Sequence, residues 1–134
     1  MNMENFKKIL IVEDDVAFLK ALAGELSFLG VKVSTEADGK AGLASALKGH
    51  PDLIFLDIIL PSLDGIAFVK ELRKDDWGKT AIVILLTQVD DVNRIAEAVE
   101  NGVFKYFVKA DQSIPDIIEQ TKKYVTDLKL PIAQ

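Results

Sequence analysis

The sequence contains no cysteine, and this absence excludes disulfide bonds and metal sites built from thiolates. It has neither a signal-peptide pattern nor an apolar run of membrane-spanning length, so we expect a cytoplasmic protein. Basic residues number 16 against 21 acidic ones, and a net charge of −5 argues against a nucleic-acid surface as the main function. The single histidine, His50, precedes Pro51 in a predicted loop, which favours a solvated residue over a phosphotransfer role.

Apolar residues are present in the proportion of an ordinary globular domain. They make up 49% of the 134 residues and charged residues 28%, a balance that excludes wholesale disorder. We find no internal repeat, low-complexity tract or interdomain linker. The chain is therefore predicted to form one domain over residues 1–134, with a core from about residue 7 to 129.

Five short apolar runs alternate with five helical patterns, which predicts a parallel sheet covered by helices on both faces. The predicted strands are 9–12, 31–35, 53–56, 81–86 and 103–108. The first, third and fourth are continuously apolar, as expected of strands buried on both faces. Right-handed crossovers make 2-1-3-4-5 the simplest strand order, that of a doubly wound α/β sandwich of three layers.

The predicted helices carry apolar residues at helical spacing. Gly30 is expected to end the first helix, Asp38-Gly39 to open the second, and Ser113 to cap the last one. The residues expected to face the core are, in chain order, Leu19, Leu22, Leu26 and Leu29; Leu43, Ala46 and Leu47; Ile66, Val69 and Leu72; Val92, Ile95 and Val99; and Ile114, Ile117, Ile118, Thr121, Val125 and Leu128.

Polar residues follow the predicted strands at the same edge of the sheet. Strands one and three are neighbours in this order, so the carboxylates of Glu13, Asp14 and Asp57 should converge there. Thr87 and Lys109 end the fourth and fifth strands at that edge. Taken singly, each has an ordinary interpretation: an acidic turn, a strand-end threonine, a surface lysine. Their common placement favours a ligand site.

The predicted group has the chemistry of a phosphoryl site. Three adjacent carboxylates repel and raise one another's pKa, and a hard divalent cation such as Mg²⁺ relieves the conflict. Lys109 adds a positive charge and Thr87 a hydroxyl donor, while a carboxylate can attack phosphorus. Asp57 is the best nucleophile, because it alone has apolar residues on both sides. Asp15 is expected to cap the first helix.

Several short motifs occur in a characteristic order and spacing. They are Ile11-Val12-Glu13-Asp14, Leu56-Asp57, Leu60-Pro61, Asp64-Gly65, Leu86-Thr87, Gly102 and Tyr106-Phe107-Val108-Lys109. With them, the chain from Ile9 to Leu128 resembles the receiver domains of two-component response regulators. The resemblance implies a flavodoxin-like fold and a phosphorylation-controlled interaction module. It implies no enzyme activity beyond phosphoryl transfer to, and hydrolysis from, its own aspartate.

By this resemblance, Asp57 is the phosphoacceptor, and the donor is a phosphohistidine on a sensor histidine kinase or a phosphotransfer protein. Asp14 and Asp57 would ligate Mg²⁺ directly, Glu13 through water, and Ile59 through its backbone carbonyl. Lys109 would pair with the phosphoryl oxygens.

The resemblance also implies a switch and a downstream protein partner. Thr87 would move to hydrogen-bond the phosphoryl group, and Tyr106 would swing inward behind it, which changes the face around the fourth and fifth helices. The chain ends soon after the fifth helix, so no output domain is expected within it. A stand-alone receiver and a domain cut from a longer protein remain equally open.

The chain departs from the family pattern beside the site. Ala110 follows Lys109 where the family usually has proline. The cis peptide bond of the family is therefore not expected here, because a cis bond before a residue other than proline costs about 3 kcal/mol. Gln88 replaces a small residue and could narrow access to phosphorus. Ile59 and Val89 offer no polar group to orient an attacking water, which predicts a long-lived phosphoaspartate.

Three alternatives stay open. A phosphatase of the haloacid dehalogenase kind normally needs a second aspartate two residues after the nucleophile, where this chain has Ile59. A flavodoxin-like cofactor binder needs a phosphate cradle in the first strand–helix turn, which is acidic here. A degenerate receiver would keep the fold and signal without phosphate; the intact acidic set argues against it, and Ala110 keeps it open.

Overall fold

Five parallel strands form the centre of the computed structural model, which describes residues 7–88 and 92–128, with side chains described as far as residue 124. The strands are β1 (Lys8–Val12), β2 (Lys32–Glu36), β3 (Leu53–Asp57), β4 (Val83–Thr87) and β5 (Lys105–Val108). Their order in the sheet is β2-β1-β3-β4-β5. Neighbouring strands pair in parallel, which confirms the predicted topology.

Helices cover both faces of this sheet. They are α1 (Val16–Phe28), α2 (Gly39–Gly49), α3 (Gly65–Leu72), α4 (Val92–Glu100) and α5 (Ile114–Leu128), with 3₁₀ turns at Gly78–Thr80 and Lys109–Asp111. No helix within the described ranges combines the length and the apolar character needed to span a membrane.

Two buried clusters fill the spaces between the layers. Alternate residues of β3 divide between them: Ile54 and Leu56 pack toward α2, α3 and α4, whereas Leu53 and Phe55 pack toward α1 and α5. Every residue of β3 and β4 is buried, as the continuously apolar strands predicted. The sheet is therefore a rigid support for whatever follows the ends of its strands.

Three of the five strands begin later than the sequence predicted. β4 starts at Val83 instead of Ala81, and β5 starts at Lys105 instead of Val103. The chain before each strand has other hydrogen bonds: the carbonyl of Ala81 accepts from Arg73, and the amide of Val103 donates to Ala98 at the end of α4. β2 is likewise shifted by one residue, to 32–36.

Helix α4 buries a different side from the predicted one. Ile95 is buried as expected, but Val92 and Val99 are 72% and 52% exposed, and Ala98 lies in the core. Successive helical residues are about 100° apart, so the buried side is rotated toward the one that carries Ala98.

Two exposed ion pairs link α4 to α3 and to the cap residue before it. Arg94 lies 3.7 Å from Asp64, and Glu97 contacts Lys70, so both pairs hold α4 against α3. The partners are Lys70 in α3 and Asp64 just before it, and the apolar pattern of α4 gives no information about either. The rotation leaves Val92 and Val99 on the outer surface.

The other helices agree with the predicted pattern in the part that the structure describes. Leu22 and Leu26 of α1 are buried, as are Ile117, Ile118 and Thr121 of α5. Leu19, Leu29 and Ile114 are partly buried at the rim of the same cluster. Val125 and Leu128 fall beyond the described side chains. The predicted cap of α5 is present, because Ser113 Oγ accepts from the amide of Asp116 at 3.2 Å.

Candidate functional site

The pairing of β1 with β3 brings three carboxylates together. Val12 pairs with Leu56, so the residues that follow each strand end side by side at the carboxyl edge of the sheet. One carboxylate oxygen from each of Glu13, Asp14 and Asp57 lies within 4.8 Å of the others. Glu13 and Asp57 are buried, whereas Asp14 is exposed. The predicted convergence of these acids is confirmed.

Lys109 joins this group from the end of β5. Its ammonium lies 3.1 Å from Asp57 Oδ2 and also contacts Glu13 Oε1. The lysine side chain is only 7% exposed, so burial by itself would lower its pKa; the ion pairs with Glu13 and Asp57 outweigh burial and raise the pKa of Lys109. The lysine is therefore held as a cation beside the acids.

Glu13 is the most perturbed acid of the group. Burial raises its pKa from 4.5 to about 7, and repulsion from Asp57 adds to the rise, although Lys109 and the amide of Asp15 oppose it. The mutual repulsion that the sequence predicted is thus a smaller cause of the raised pKa than burial. Glu13 Oε2 accepts from the Asp15 amide at 3.0 Å, and Oε1 contacts the ammonium of Lys109.

The backbone around Asp57 is tightly packed against the start of α3. Asp57 Oδ1 accepts from the amide of Ile59 at 3.3 Å, and the amide of Gly65 donates to the carbonyl of Ile58 at 2.7 Å. A Cβ on Gly65 would lie 2.3 Å from the carbonyl oxygen of Asp57. The Asp64-Gly65 sequence, predicted as a turn, is therefore also a close contact that fixes the backbone of Asp57.

The acids and the lysine surround a small pocket of about 120 Å³. Its lining consists of Glu13, Asp14, Asp15, Asp57, Ile59, Gln88 and Lys109. Gln88 thus lies at the pocket, where the sequence predicted that it could narrow access. Asp15 caps α1 as predicted, since its Oδ1 accepts from the amide of Phe18 at 3.2 Å.

The donor set of this pocket fits a hard divalent cation. Three carboxylates and one ammonium leave two negative charges unbalanced when all the acids are ionised. Carboxylate oxygens are the ligands that Mg²⁺ prefers, and Asp14 presents its own to solvent.

The comparisons with known proteins agree with this geometry. Residues 9–122 match the sequence profile of the response regulator receiver domain. The chain belongs to the receiver domain family. It is 38% identical over 105 residues to a probable transcriptional regulator, ycf27, of Cyanophora paradoxa; the match covers 78% of this chain and 43% of that protein. The receiver domain thus spans less than half the length of this curated relative.

Solved structures of low sequence identity share the fold of this receiver domain. A CheY-like receiver domain protein of Methanospirillum hungatei has a TM-score of 0.83 at 26% identity, covering 92% of this chain and 96% of that one. The receiver domain of the sensor histidine kinase PA1611 of Pseudomonas aeruginosa has a TM-score of 0.79 at 26% identity, covering 90% and 98%. That structure has a magnesium ion coordinated in its active-site cleft.

Membership of the family decides between broad classes of function. Receiver domains are signalling domains of two-component systems that bind Mg²⁺ at an acidic site and interact with histidine kinases and downstream effectors. This assignment favours signalling over the phosphatase and the flavin-binding alternatives.

Two residues predicted to act in the receiver domain lie outside the acid pocket. Thr87 is the last residue of β4, fully buried and paired in the sheet with Val108. Tyr106 is 45% exposed and borders a separate hollow, of about 330 Å³, between β5 and α5. The structure therefore brings Lys109 to the acids but leaves the tyrosine ring outside.

The departures at positions 110 and 89 have different outcomes. No peptide bond between described residues is cis, and Lys109 reaches the acids although Ala110 follows it. Val89 lies outside the described residues. Ile59 is 51% exposed beside the pocket, as an apolar side chain without a hydrogen-bonding group.

Phe18 is a neighbour of the site that was not predicted from the sequence. Its ring centroid lies 4.8 Å from the ammonium of Lys109. A signal was available, because Phe18 stands three residues after the cap Asp15 and therefore lies in the first turn of α1, next to the acidic loop.

The raised pKa of Glu13 predicts a pH dependence of stability in the metal-free protein. Between pH 4.5 and about 7 the folded state holds a proton on Glu13 that the unfolded state loses. This residue's contribution to the free energy of unfolding should therefore fall as the pH rises through that window, by an amount on the order of 1 to 2 kcal/mol.

Urea unfolding of wild type and Glu13→Gln in a chelator, at pH 5 and pH 8, measures this effect. The glutamine variant should gain stability relative to wild type as the pH rises. A constant difference between the two proteins across that range would contradict the raised pKa.

Proposed function

We propose that this receiver domain accepts a phosphoryl group on Asp57 from a phosphohistidine of a sensor histidine kinase or a phosphotransfer protein. One observation carries the proposal: a buried carboxylate, backed by the sheet, shares one pocket with two further acids and a buried ammonium. In the transfer, Asp57 forms a bond to phosphorus as the bond between phosphorus and the imidazole nitrogen breaks.

The residues around Asp57 divide the remaining work. The ammonium of Lys109, 3.1 Å from Asp57, is close enough to balance charge on the incoming phosphoryl oxygens. The amide of Ile59 donates to Asp57 Oδ1 and so orients the carboxylate. Gln88 restricts the approach from the side of β4.

Asp14 and Asp57 are proposed as the direct ligands of Mg²⁺, Glu13 as a ligand through water, and Ile59 through its backbone carbonyl. The bound cation supplies positive charge that stabilises the transferring phosphoryl group. The buried, ion-paired position of Glu13 supports the indirect role, and the exposure of Asp14 supports the direct one.

We also propose that phosphorylation is relayed to the surface formed by α4, β5 and α5, where a downstream protein binds. Thr87 would hydrogen-bond the phosphoryl group and Tyr106 would turn inward. The exposed apolar side chains of Val92, Val99 and Tyr106 support this choice of surface, because a change there alters what a partner meets.

The proposal treats residues 1–134 as one receiver domain and places it in the cytoplasm, with the kinase and the effector as its protein partners. It includes no enzyme activity beyond transfer to, and hydrolysis from, Asp57. A degenerate receiver that signals without phosphate is the second candidate, and it is favoured only by the alanine at position 110.

Incubation with Mg²⁺ and a small phosphodonor tests the proposal. We expect intact-mass spectrometry to show one added phosphoryl group, and borohydride trapping followed by peptide mapping to locate it at Asp57. Omission of Mg²⁺ should suppress the reaction. A protein that stays unmodified while it binds beryllofluoride weakly or not at all would support the degenerate receiver, and steady hydrolysis of phosphate esters would support a phosphatase.

The lifetime of the phosphoaspartate is a separate prediction. Ile59 provides no side-chain hydrogen bond that could orient a water for attack on phosphorus. We therefore expect a half-life of minutes or longer in Mg²⁺, and a shorter one when Ile59 is replaced by asparagine. Decay of the purified phosphoprotein, followed by mass spectrometry, measures both. A half-life of seconds in the wild type would contradict this prediction.

A further inference from the structure

Lys109 has a third contact besides its two carboxylates. The ring of Phe18 lies with its centroid 4.8 Å from the ammonium, within the range of a cation–π interaction. Phe18 is fixed at the first turn of α1, where its amide donates to Asp15 Oδ1 at 3.2 Å. Its ring is partly buried against the cluster beneath α1 and α5. The ring of Phe18 is therefore held in place beside the flexible side chain of Lys109.

The ammonium has room to leave the acids. A hollow of about 460 Å³ adjoins the acid pocket and is lined by Asp15, Phe18, Gln88, Lys109 and Ala110. A lysine stem has four rotatable carbons and a strongly hydrated head, so nothing in the chain of Lys109 itself selects the position beside Asp57. Yet the side chain is only 7% exposed where it lies, with the ring of Phe18 beside its ammonium.

We infer that Phe18 is a positioning residue for phosphoryl transfer: its ring holds the Lys109 ammonium on Glu13 and Asp57 instead of in the adjoining hollow. This inference rests on the proposed function. The ring contributes no hydrogen bond, so it stabilises the cation without competing for its donors. Those donors stay directed at the carboxylates and at an incoming phosphoryl group.

Phe18→Leu and Phe18→Tyr separate the ring face from apolar packing. Leucine keeps an apolar side chain but removes the ring, and we expect phosphorylation by a small phosphodonor to slow about three- to tenfold. Tyrosine keeps the face and should restore most of the rate. Equal rates for all three proteins, or an equal loss with tyrosine and leucine, would overturn the inference.

The affinity for Mg²⁺ gives a readout that simple loosening of the site would not produce. A less firmly held Lys109 neutralises the acids less, so Phe18→Leu should bind Mg²⁺ about two- to threefold more tightly by calorimetry, while its phosphorylation slows. A general distortion of the site would weaken both. Mg²⁺ binding that weakens together with phosphorylation therefore contradicts the inference.

A double-variant comparison tests whether the ring acts through the lysine. In a Lys109→Met background, Phe18→Leu should leave the Mg²⁺ affinity unchanged, because there is no ammonium to position. If Phe18→Leu changed the Mg²⁺ affinity by the same factor in that background as in the wild type, the inference would be overturned. These affinities are measured without a phosphodonor, so a wild type that is never phosphorylated would refute the proposed function and still leave the role of Phe18 decided.

Discussion

Replacing Asp57 with asparagine is expected to abolish phosphorylation of this protein. The amide oxygen of asparagine carries no charge and is a far weaker nucleophile than a carboxylate. The substitution also removes the carboxylate that lies 3.1 Å from the Lys109 ammonium, which is one of the three acids of the pocket. We expect the rate with a small phosphodonor and Mg²⁺ to fall at least about 100-fold, below detection by intact-mass spectrometry.

Asp15→Asn is the matched control for this experiment. Asp15 lines the same pocket and has the same acid-to-amide change, and asparagine caps a helix as well as aspartate does. This variant should therefore keep the fold and remain phosphorylated. Phosphate that still appears on Asp57→Asn, or that is lost equally in both variants, would mean that another group is the acceptor.

Gly65→Ala is expected to destabilise the protein strongly. Its Cβ would lie 2.3 Å from the carbonyl oxygen of Asp57 and 2.8 Å from the Cα of Ile58. Both are buried backbone atoms, at the end of β3 and just after it, so they cannot move aside as a flexible side chain could. We expect the free energy of unfolding to fall by about 2 to 3 kcal/mol, with slower phosphorylation because the backbone of Asp57 is displaced.

Gly24→Ala provides the opposite result from the same chemical change. Gly24 is exposed in the middle of α1, and a Cβ there would meet no atom within 4 Å. Alanine should raise the free energy of unfolding by about 0.5 to 1 kcal/mol, since it restricts the unfolded chain and favours the helix. Urea denaturation of both variants measures the contrast. Similar effects at the two positions would show that the contact of α3 with Asp57 is looser than described.

The sheet was predictable because its strands are apolar without interruption. Runs such as Leu53–Leu56 admit burial on both faces, and the alternation with helices leaves few topologies that obey right-handed connections. The convergence of Glu13, Asp14 and Asp57 follows directly from that order. For this reason the acidic group of the site could be located from the sequence.

The predicted orientation of α4 was wrong because the side that a helix buries depends on its partners in other elements. Three apolar residues at helical spacing predicted an inward face with Val92 and Val99, but the helix buries Ile95 and Ala98 against residues of other elements. Phe18 was missed for a similar reason: its contact with Lys109 joins two segments 91 residues apart. The roles of Thr87 and Tyr106 in switching stay predictions.

The stacked rings of His50 and Trp77 give this protein a fluorescent probe away from the acid pocket. Trp77, the only tryptophan, lies parallel to the ring of His50, with centroids 4.4 Å apart. Its emission should therefore report on this contact with His50, away from the acid pocket at Asp57. Because the chain has no cysteine, a single cysteine introduced at Gln88 would give one labelling position at the rim of the pocket, where a dye could detect metal and phosphodonor.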